Sequence, residues 1–367
     1  MIHGHGGNVF ALANALGCLP GQILDFSNNI NPLGTMPEIR RLLEQNLDSI
    51  VSLPEVDNRG IILAFCACNN IPDDQVLAGS GTTQFIYALP KALKMDKALI
   101  LAPTYSDYAD GCRFHGVACD FFFARDDKAF CPDLSALSRV INSYDTVYIC
   151  NPNNPTGCLI PGSNLLELCE THPETRFIID ESYLPFAPDG TRHSLLNSSL
   201  PNLIVLHSLS KLFGIPGLRI GFVKAHPACI RDLEQYLPPW SVNTLAQTVA
   251  GFLLTHKNLA DGFTENTQIF LTMQRTLLME RLNNAPELKS YPSATSFVLF
   301  RLSNLRAPDL CRSLAARRIL IRDCSNFAGL DDRYFRIALK SAEANQLVSR
   351  EILHWIEQQT ARHGERP

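Results

Sequence analysis

Residues 203–221 read LIVLHSLSKLFGIPGLRIG. The run from Leu203 to Leu206 is apolar without interruption, the pattern of a strand covered on both faces. The spacing predicts a strand over Leu203–His207, and the chain leaves it through Ser208, Ser210 and Lys211. Arg219 follows eight residues after the lysine and opens a second short run, Arg219–Val223. Similar runs lie upstream at Ala98–Ala102, Thr146–Cys150 and Arg176–Ile179, several of them separated by segments of helical length. Short buried strands alternating with helices imply an α/β fold: a large unit on a mostly parallel sheet flanked by helices.

The last third of the chain differs. Phe263–Asn283 has helical spacing and reads as a long connecting helix. Three strand-like runs follow, Phe297–Leu302, Ile319–Arg322 and Tyr334–Leu339, then a final helix from about Ala342. This is a smaller α+β unit. The polar tail after about Ile356 reads as frayed. The first 35 residues, with NPLG at Asn31–Gly34, read as extended and turn-rich, packing beside the C-terminal unit or across the active site. A chain of 367 residues suits two packed units at roughly 150 residues per domain. The expected division is an N-terminal segment over 1–40, a large domain over 41–260 and a small domain over 261–367.

Composition narrows the class. Hydrophobic residues make up 46% and charged residues 19%, with a net charge of -4. A dedicated nucleic-acid binder would carry a basic face, so that class is disfavoured. The twelve cysteines include no CxxC pair, which argues against a zinc ribbon. Scattered through apolar runs, they read as reduced residues of a cytosolic enzyme. The opening MIHGHGGNVF lacks a basic region followed by an apolar stretch, and no run approaches the roughly 20 apolar residues of a membrane span. The expectation is a soluble cytoplasmic protein with no membrane and no metal site.

Five motifs carry chemistry. A lysine just past a buried strand suits an imine to a carbonyl cofactor, because desolvation or nearby cations turn the amine into a nucleophile. The Ser208 and Ser210 hydroxyls, with the Arg219 guanidinium, suit a phosphate dianion. The other reading of the stretch is an ordinary loop with a solvated lysine. Asp180, in FIIDESY at 177–183, ends an apolar strand and needs a partner, since burying an unpaired charge is costly. A protonated pyridine nitrogen is one such partner and a helix N-cap role is the alternative. Tyr183 is placed to donate to a phenolic oxygen of the same ring. The turn NPNNPTG at 151–157 is rigid, and Asn154 either aims its amide at the ring or only shapes the turn. In AGSGTTQ at 78–84, Gly81, Thr82 and Thr83 open a helix whose free N–H groups suit an anion. Tyr105 and Tyr108 follow the strand Ala98–Ala102, where one of them can stack on a flat cofactor or simply pack. Each motif sits just past a predicted strand, on the edge where open α/β sheets bind ligands.

The order NPNNPTG, DESY, SLSK and GLRIG resembles the class I/II aminotransferase superfamily of pyridoxal phosphate enzymes of fold-type I, over nearly the whole chain. Two of its branches are especially similar, the L-threonine-O-3-phosphate decarboxylases of cobalamin biosynthesis and, next, the histidinol-phosphate aminotransferases. The features shared with the former are His5-Gly6-Gly7-Asn8, LDFSNNINPLG at 24–34, Pro239-Trp240-Ser241-Val242-Asn243 and the stretch ILIRDCSNFAGLDDRYFRIALKS. The resemblance implies that Lys211 carries pyridoxal 5'-phosphate and that Asp180 meets its ring nitrogen. Asn154 and Tyr183 would then contact the phenolic oxygen, with Tyr108 on the ring. Gly81, Thr82, Thr83, Ser208, Ser210 and Arg219 would hold the phosphate. Arg336 matches the arginine that binds a substrate carboxylate, and His5, Asn29 and Arg322 match positions that hold a substrate phosphate. A homodimer and a small phosphorylated amino acid as substrate are implied as well. Where the family commonly carries Tyr-Pro-Asp, this chain reads Ser52-Leu53-Pro54-Glu55, so that tyrosine hydroxyl is missing. Tyr183 is the more aminotransferase-like choice at its position.

The reaction implied is decarboxylation of L-threonine O-3-phosphate to (R)-1-amino-2-propanol O-2-phosphate, with O-phosphoserine as an alternative substrate. One methyl group is worth only about 1–3 kcal/mol of discrimination. Transamination of histidinol phosphate or a related amine is the rival. A pyridoxal phosphate-binding protein with weak catalysis is disfavoured by the intact Lys, Asp, Arg and Tyr set.

Overall fold

The computed structural model describes Gly6 and residues 8–364, with side chains through Ala361. Thirteen strands are present among them. They are β1 Leu24–Asp25, β2 Val76–Gly79, β3 Lys97–Ala102, β4 Ala118–Phe123, β5 Thr146–Cys150, β6 Arg176–Asp180 and β7 Leu203–Ser208. The rest are β8 Gly221–Lys224, β9 Leu288–Ser290, β10 Phe297–Leu302, β11 Ile319–Leu320, β12 Arg322–Asp323 and β13 Tyr334–Ala338.

Seven strands form the main sheet in the order β2-β8-β7-β6-β5-β3-β4. The links β7–β6–β5–β3–β4 are all parallel, as expected, and β8 alone runs antiparallel to its neighbours. Every residue of β5 is buried, and so are Phe177, Ile178 and Ile179 of β6. That follows from helices on both faces, which leave no side of a central strand in water. Each fully buried large side chain contributes about 1.5–3 kcal/mol of burial. After β3 the chain goes out to β4 and then returns to the other side of β3 as β5, which opens a crevice at the carboxyl ends of these strands.

The second sheet, β12-β13-β10-β9, is antiparallel. The helix Lys257–Leu282 leads into it, and its buried Thr267, Leu271, Gln274, Leu278 and Leu282 recur at helical spacing. The predicted strand Ile319–Arg322 is in fact two. β11 pairs with β1, and the chain changes partner at Ile321 so that β12 pairs with β13.

Three further expectations need correction. The first 35 residues are not uniformly extended, because the apolar VFALANAL of Val9–Leu16 is a helix. Asn8 caps it by accepting from the Ala11 N–H, and Gly17 ends it at φ 62°. The tail after Ile356 is not frayed over its described residues, because the helix Ala342–Gly364 continues through them. Ile356 is buried, and Thr360 donates to the carbonyl of Ile356 at 3.0 Å and to Glu287 Oε1 at 3.3 Å. Finally, the strand after Lys211 starts at Gly221 and not at Arg219, whose φ of 60° is incompatible with a strand. Among the described residues, no helix is long and apolar enough to cross a membrane.

Candidate active site

The sheet edge collects the predicted residues. β6 ends in Asp180 and β7 in Ser208, one strand over. Asp180 is only 5% exposed, and burial pushes its carboxyl upward. The Ser182 N–H donates to Asp180 Oδ1 at 2.9 Å and the Tyr108 hydroxyl to Oδ2 at 2.8 Å, and both favour the ionised form. The N-cap alternative for Asp180 does not hold, since the segment after it is a turn and a short 3-10 helix.

Lys211 lies in the loop after β7. Burial is the main force on its amine, with the positive charges of Arg219 and Arg336 adding to it and Asp180 opposing. The result is a drop from 10.5 to about 8. The residue is half-buried, and its amine is not a freely solvated one. An amine at that value is partly neutral near physiological pH, and so nucleophilic.

The anion cradle forms where β2 gives way to the helix Thr82–Ala92. Gly81 sits at φ 79°, and a Cβ there would stand 2.5 Å from Arg219 Nη2. A Cβ on Gly221 would stand 2.7 Å from the Thr82 nitrogen. Two glycines thus let the helix N-terminus and the guanidinium converge, and these first-turn amides with a cation suit a phosphate. Arg219 is further held by Pro216 O at 3.2 Å and Ser80 O at 3.4 Å. Ser208 Oγ accepts from the Ser210 N–H at 3.2 Å, while the Ser210 hydroxyl donates to Ile220 O at 3.1 Å. Ser210 therefore also ties β8 to the lysine loop.

The opposite wall comes from the second sheet. Arg336 on β13 is 4% exposed and donates to Asn154 Oδ1 and, at 2.7 Å, to Ser27 O. Arg322 on β12 is in register with Arg336 and lies 4.9 Å from the Phe327 ring, donating to Asn326 Oδ1 at 2.7 Å. Asn29 Nδ2 donates to the Tyr183 hydroxyl at 3.0 Å. Burial raises that phenol to about 12, so it keeps its proton. Two buried polar atoms here, Arg336 Nε and Asn29 Oδ1, have no partner among the described residues. Their chemistry fits a ligand with an anionic group and a hydrogen-bond donor. The donor set around Lys211, Asp180 and the cradle likewise fits an aldehyde cofactor with a basic ring nitrogen and a phosphate.

The structure therefore brings together Gly81, Thr82, Thr83, Tyr108, Asn154, Asp180, Tyr183, Ser208, Ser210, Lys211 and Arg219 on one edge, with Asn29, Arg322 and Arg336 opposite. His5 lies outside the described residues. Leu53, at the place of the missing tyrosine, is 77% exposed. Sequence reading missed Asn31, whose backbone and side chain both hold the lysine loop. Its only signal was membership of the Asn-Pro turn at 31–32.

Comparisons with known proteins agree with this geometry. The family model for aminotransferase class I and II matches residues 23–350. The chain is 33% identical over 346 residues to a threonine-phosphate decarboxylase of Salmonella typhimurium, covering 93% of each chain. It is 26% identical over 336 residues to a histidinol-phosphate aminotransferase of Methanocaldococcus jannaschii, covering 90% of this chain and 89% of that one. The crystal structure of L-threonine-O-3-phosphate decarboxylase from Porphyromonas gingivalis superposes with a TM-score of 0.82 at 29% identity, over 91% of this chain and all of that one. A half-buried lysine, a strand-end aspartate and a glycine-opened phosphate cradle on one edge of a mostly parallel sheet thus meet a match over most of the chain, and the chain belongs to the aminotransferase class I and II family, whose cofactor is pyridoxal phosphate.

Proposed function

We propose that the chain decarboxylates L-threonine O-3-phosphate to (R)-1-amino-2-propanol O-2-phosphate. The observation that carries this reading is the cross-strand pair Arg322–Arg336. Like charges directly opposite in a sheet repel, so two guanidiniums in register are best reconciled by a ligand with two anionic groups. An amino acid phosphate brings a carboxylate and a phosphate at once. Histidinol phosphate has no carboxylate and would leave Arg336 to a second substrate. The similarity to threonine-phosphate decarboxylases supports the same choice.

In this reading Lys211 would be the attachment point of the cofactor, Asp180 would meet its ring nitrogen, and Asn154 and Tyr183 would hold its phenolic oxygen. Tyr108 would pack beside the ring. The amides of Gly81, Thr82 and Thr83 would hold the phosphate with Ser208, Ser210 and Arg219. When bound, the cofactor supplies an electron sink for the bond broken at the substrate Cα. The protein decides which bond that is. Arg336 anchors the carboxylate, while Arg322, Asn29 and His5 anchor the phosphate. Fixing both ends of the substrate leaves one orientation of the groups on its Cα, and an orientation that favours departure of the carboxylate would select loss of carbon dioxide over loss of the Cα proton. The exposed Ile50, Val51 and Leu53 support a homodimer, which sedimentation would detect.

The test is incubation of the cofactor-loaded protein with threonine phosphate and no keto acid. Stoichiometric carbon dioxide is expected. Strict dependence on 2-oxoglutarate with no gas evolved would replace this reading with an aminotransferase.

A further inference from the structure

Outside the site, one pair of reactive groups stands apart. Cys131 Sγ and Cys158 Sγ are 3.3 Å from each other. Cys131 is exposed, whereas Cys158 is 8% exposed. Cys158 follows Gly157 directly, and its carbonyl accepts from the Asn153 N–H at 2.8 Å, so it closes the turn that presents Asn154. Cys131 ends the loop after β4. Asp126 in that loop accepts from Lys289, from Tyr291 at 2.6 Å, from Arg301 at 2.8 Å and from Tyr334 at 3.1 Å. Phe130, next to Cys131, packs in a small apolar cluster with Tyr291, Leu299 and Tyr334. The turn has its own hold on the C-terminal part, where the Ala294 N–H donates to Gly157 O at 2.9 Å. Both sulfur-bearing segments therefore rest on the portion of the chain that delivers Arg336 to Asn154.

We propose that Cys131 and Cys158 form a reversible dithiol–disulfide switch acting on the Asn154 turn. The order of events follows from exposure. The Cys131 thiolate attacks one sulfur of a low-molecular-weight disulfide such as oxidised glutathione, forms a mixed disulfide and expels one thiolate, which takes up a proton. Cys158 then loses its proton to solvent, attacks the Cys131 sulfur and expels the second thiol. Two electrons leave the protein, and one small disulfide becomes two thiols. Burial, together with the neighbouring Cys131, holds the Cys158 thiol protonated, which makes it the resolving and not the attacking partner. Bond formation draws the sulfurs from 3.3 Å to about 2 Å, a shift transmitted to a turn that contacts Arg336. Displacements of that size near a reacting centre cost on the order of tenfold or more in rate.

The test uses the holoenzyme with oxidised glutathione, followed by non-reducing peptide mass mapping and an activity assay. The expected result is one Cys131–Cys158 bridge, a loss of two hydrogens in mass, a roughly tenfold fall in turnover and full recovery with dithiothreitol. Cys131→Ser should keep its basal activity and become insensitive. Cys158→Ala should stop at a stable mixed disulfide on Cys131. A bridge mapped to other cysteines, a wild-type protein that stops at the mixed disulfide, or a Cys131–Cys158 bridge with unchanged turnover would each overturn the proposal. The mapping reads the bridge whichever reaction the enzyme performs.

Discussion

The backbone N–H of Asn31 donates to the carbonyl oxygen of Lys211 at 3.1 Å. Its side-chain amide donates to the next carbonyl, that of Leu212, at 2.7 Å and to Thr267 Oγ1 at 2.8 Å. One buried asparagine thus fastens the lysine loop to the helix Lys257–Leu282. Asn31→Ala leaves a buried carbonyl without its donor, a cost of about 1–3 kcal/mol. The variant should melt a few degrees lower and lose kcat more than it gains in KM. Melting and steady-state curves that match the wild type would show that the clamp is dispensable.

The Lys211 amine, brought down to about 8, gains its neutral form through that pH. Uptake of pyridoxal phosphate by the apoprotein should accelerate with pH, with a midpoint near this value. Asp180 favours the cation, so Asp180→Asn should move the midpoint lower, and Arg219→Gln should move it higher. Lys211→Ala should show no lysine-linked absorption band at any pH. The sign for stability is equally definite. The unfolded chain holds this proton up to 10.5 and the folded one only to about 8, so the contribution of Lys211 to folding improves between these limits. Lys211→Met should flatten that part of the apoprotein's stability profile.

Arg322→Ala should raise the KM for threonine phosphate by about tenfold to a hundredfold, the scale of a hydrogen bond to a charged group. Threonine itself should bind as before. Removing one of two facing guanidiniums should also leave the ligand-free protein no less stable. Equal losses for both substrates would take Arg322 out of the phosphate site.

Glu181 accepts from the Ser194 hydroxyl and the Leu195 N–H, each at 2.6 Å, yet burial still raises its carboxyl from 4.5 to about 7. The folded state therefore binds this proton more tightly than the unfolded one. Its contribution to stability is complete below pH 4.5 and is lost as the pH climbs to about 7. Chemical denaturation across that interval should show the slope in the wild type and not in Glu181→Gln.

Much of this site was visible in the chain itself, because its residues stand at the ends of continuous apolar runs. Asp180 ends β6, Lys211 and Asn154 follow β7 and β5, and burial on both faces gave those strands an unmistakable pattern. β2, Val76–Gly79, was not read as a strand because its last residues, Ala78 and Gly79, merge into the glycine turn that follows. β4 is an edge strand with no fully buried residue, so its ACDFFF lacks the same uniformity. The reversal at β8 was hidden because a strand's direction leaves no trace in its composition. Contacts such as Asn31 with Thr267, or Cys131 with Cys158, join segments far apart in the chain and depend on tertiary folding.

That reversal has a consequence for how the protein can vary. Because β8 returns antiparallel to β7, Lys211 and Arg219 share a single connection pinned at both ends by neighbouring ladders. Inside it, the Ile215 N–H reaches Ser210 O at 3.0 Å, and the Ser210 hydroxyl reaches Ile220 O at 3.1 Å. An extra residue anywhere in 212–218 would displace nucleophile and phosphate cation together. An insertion in this short span therefore carries a double penalty, because it moves the amine and the phosphate-binding cation in one stroke.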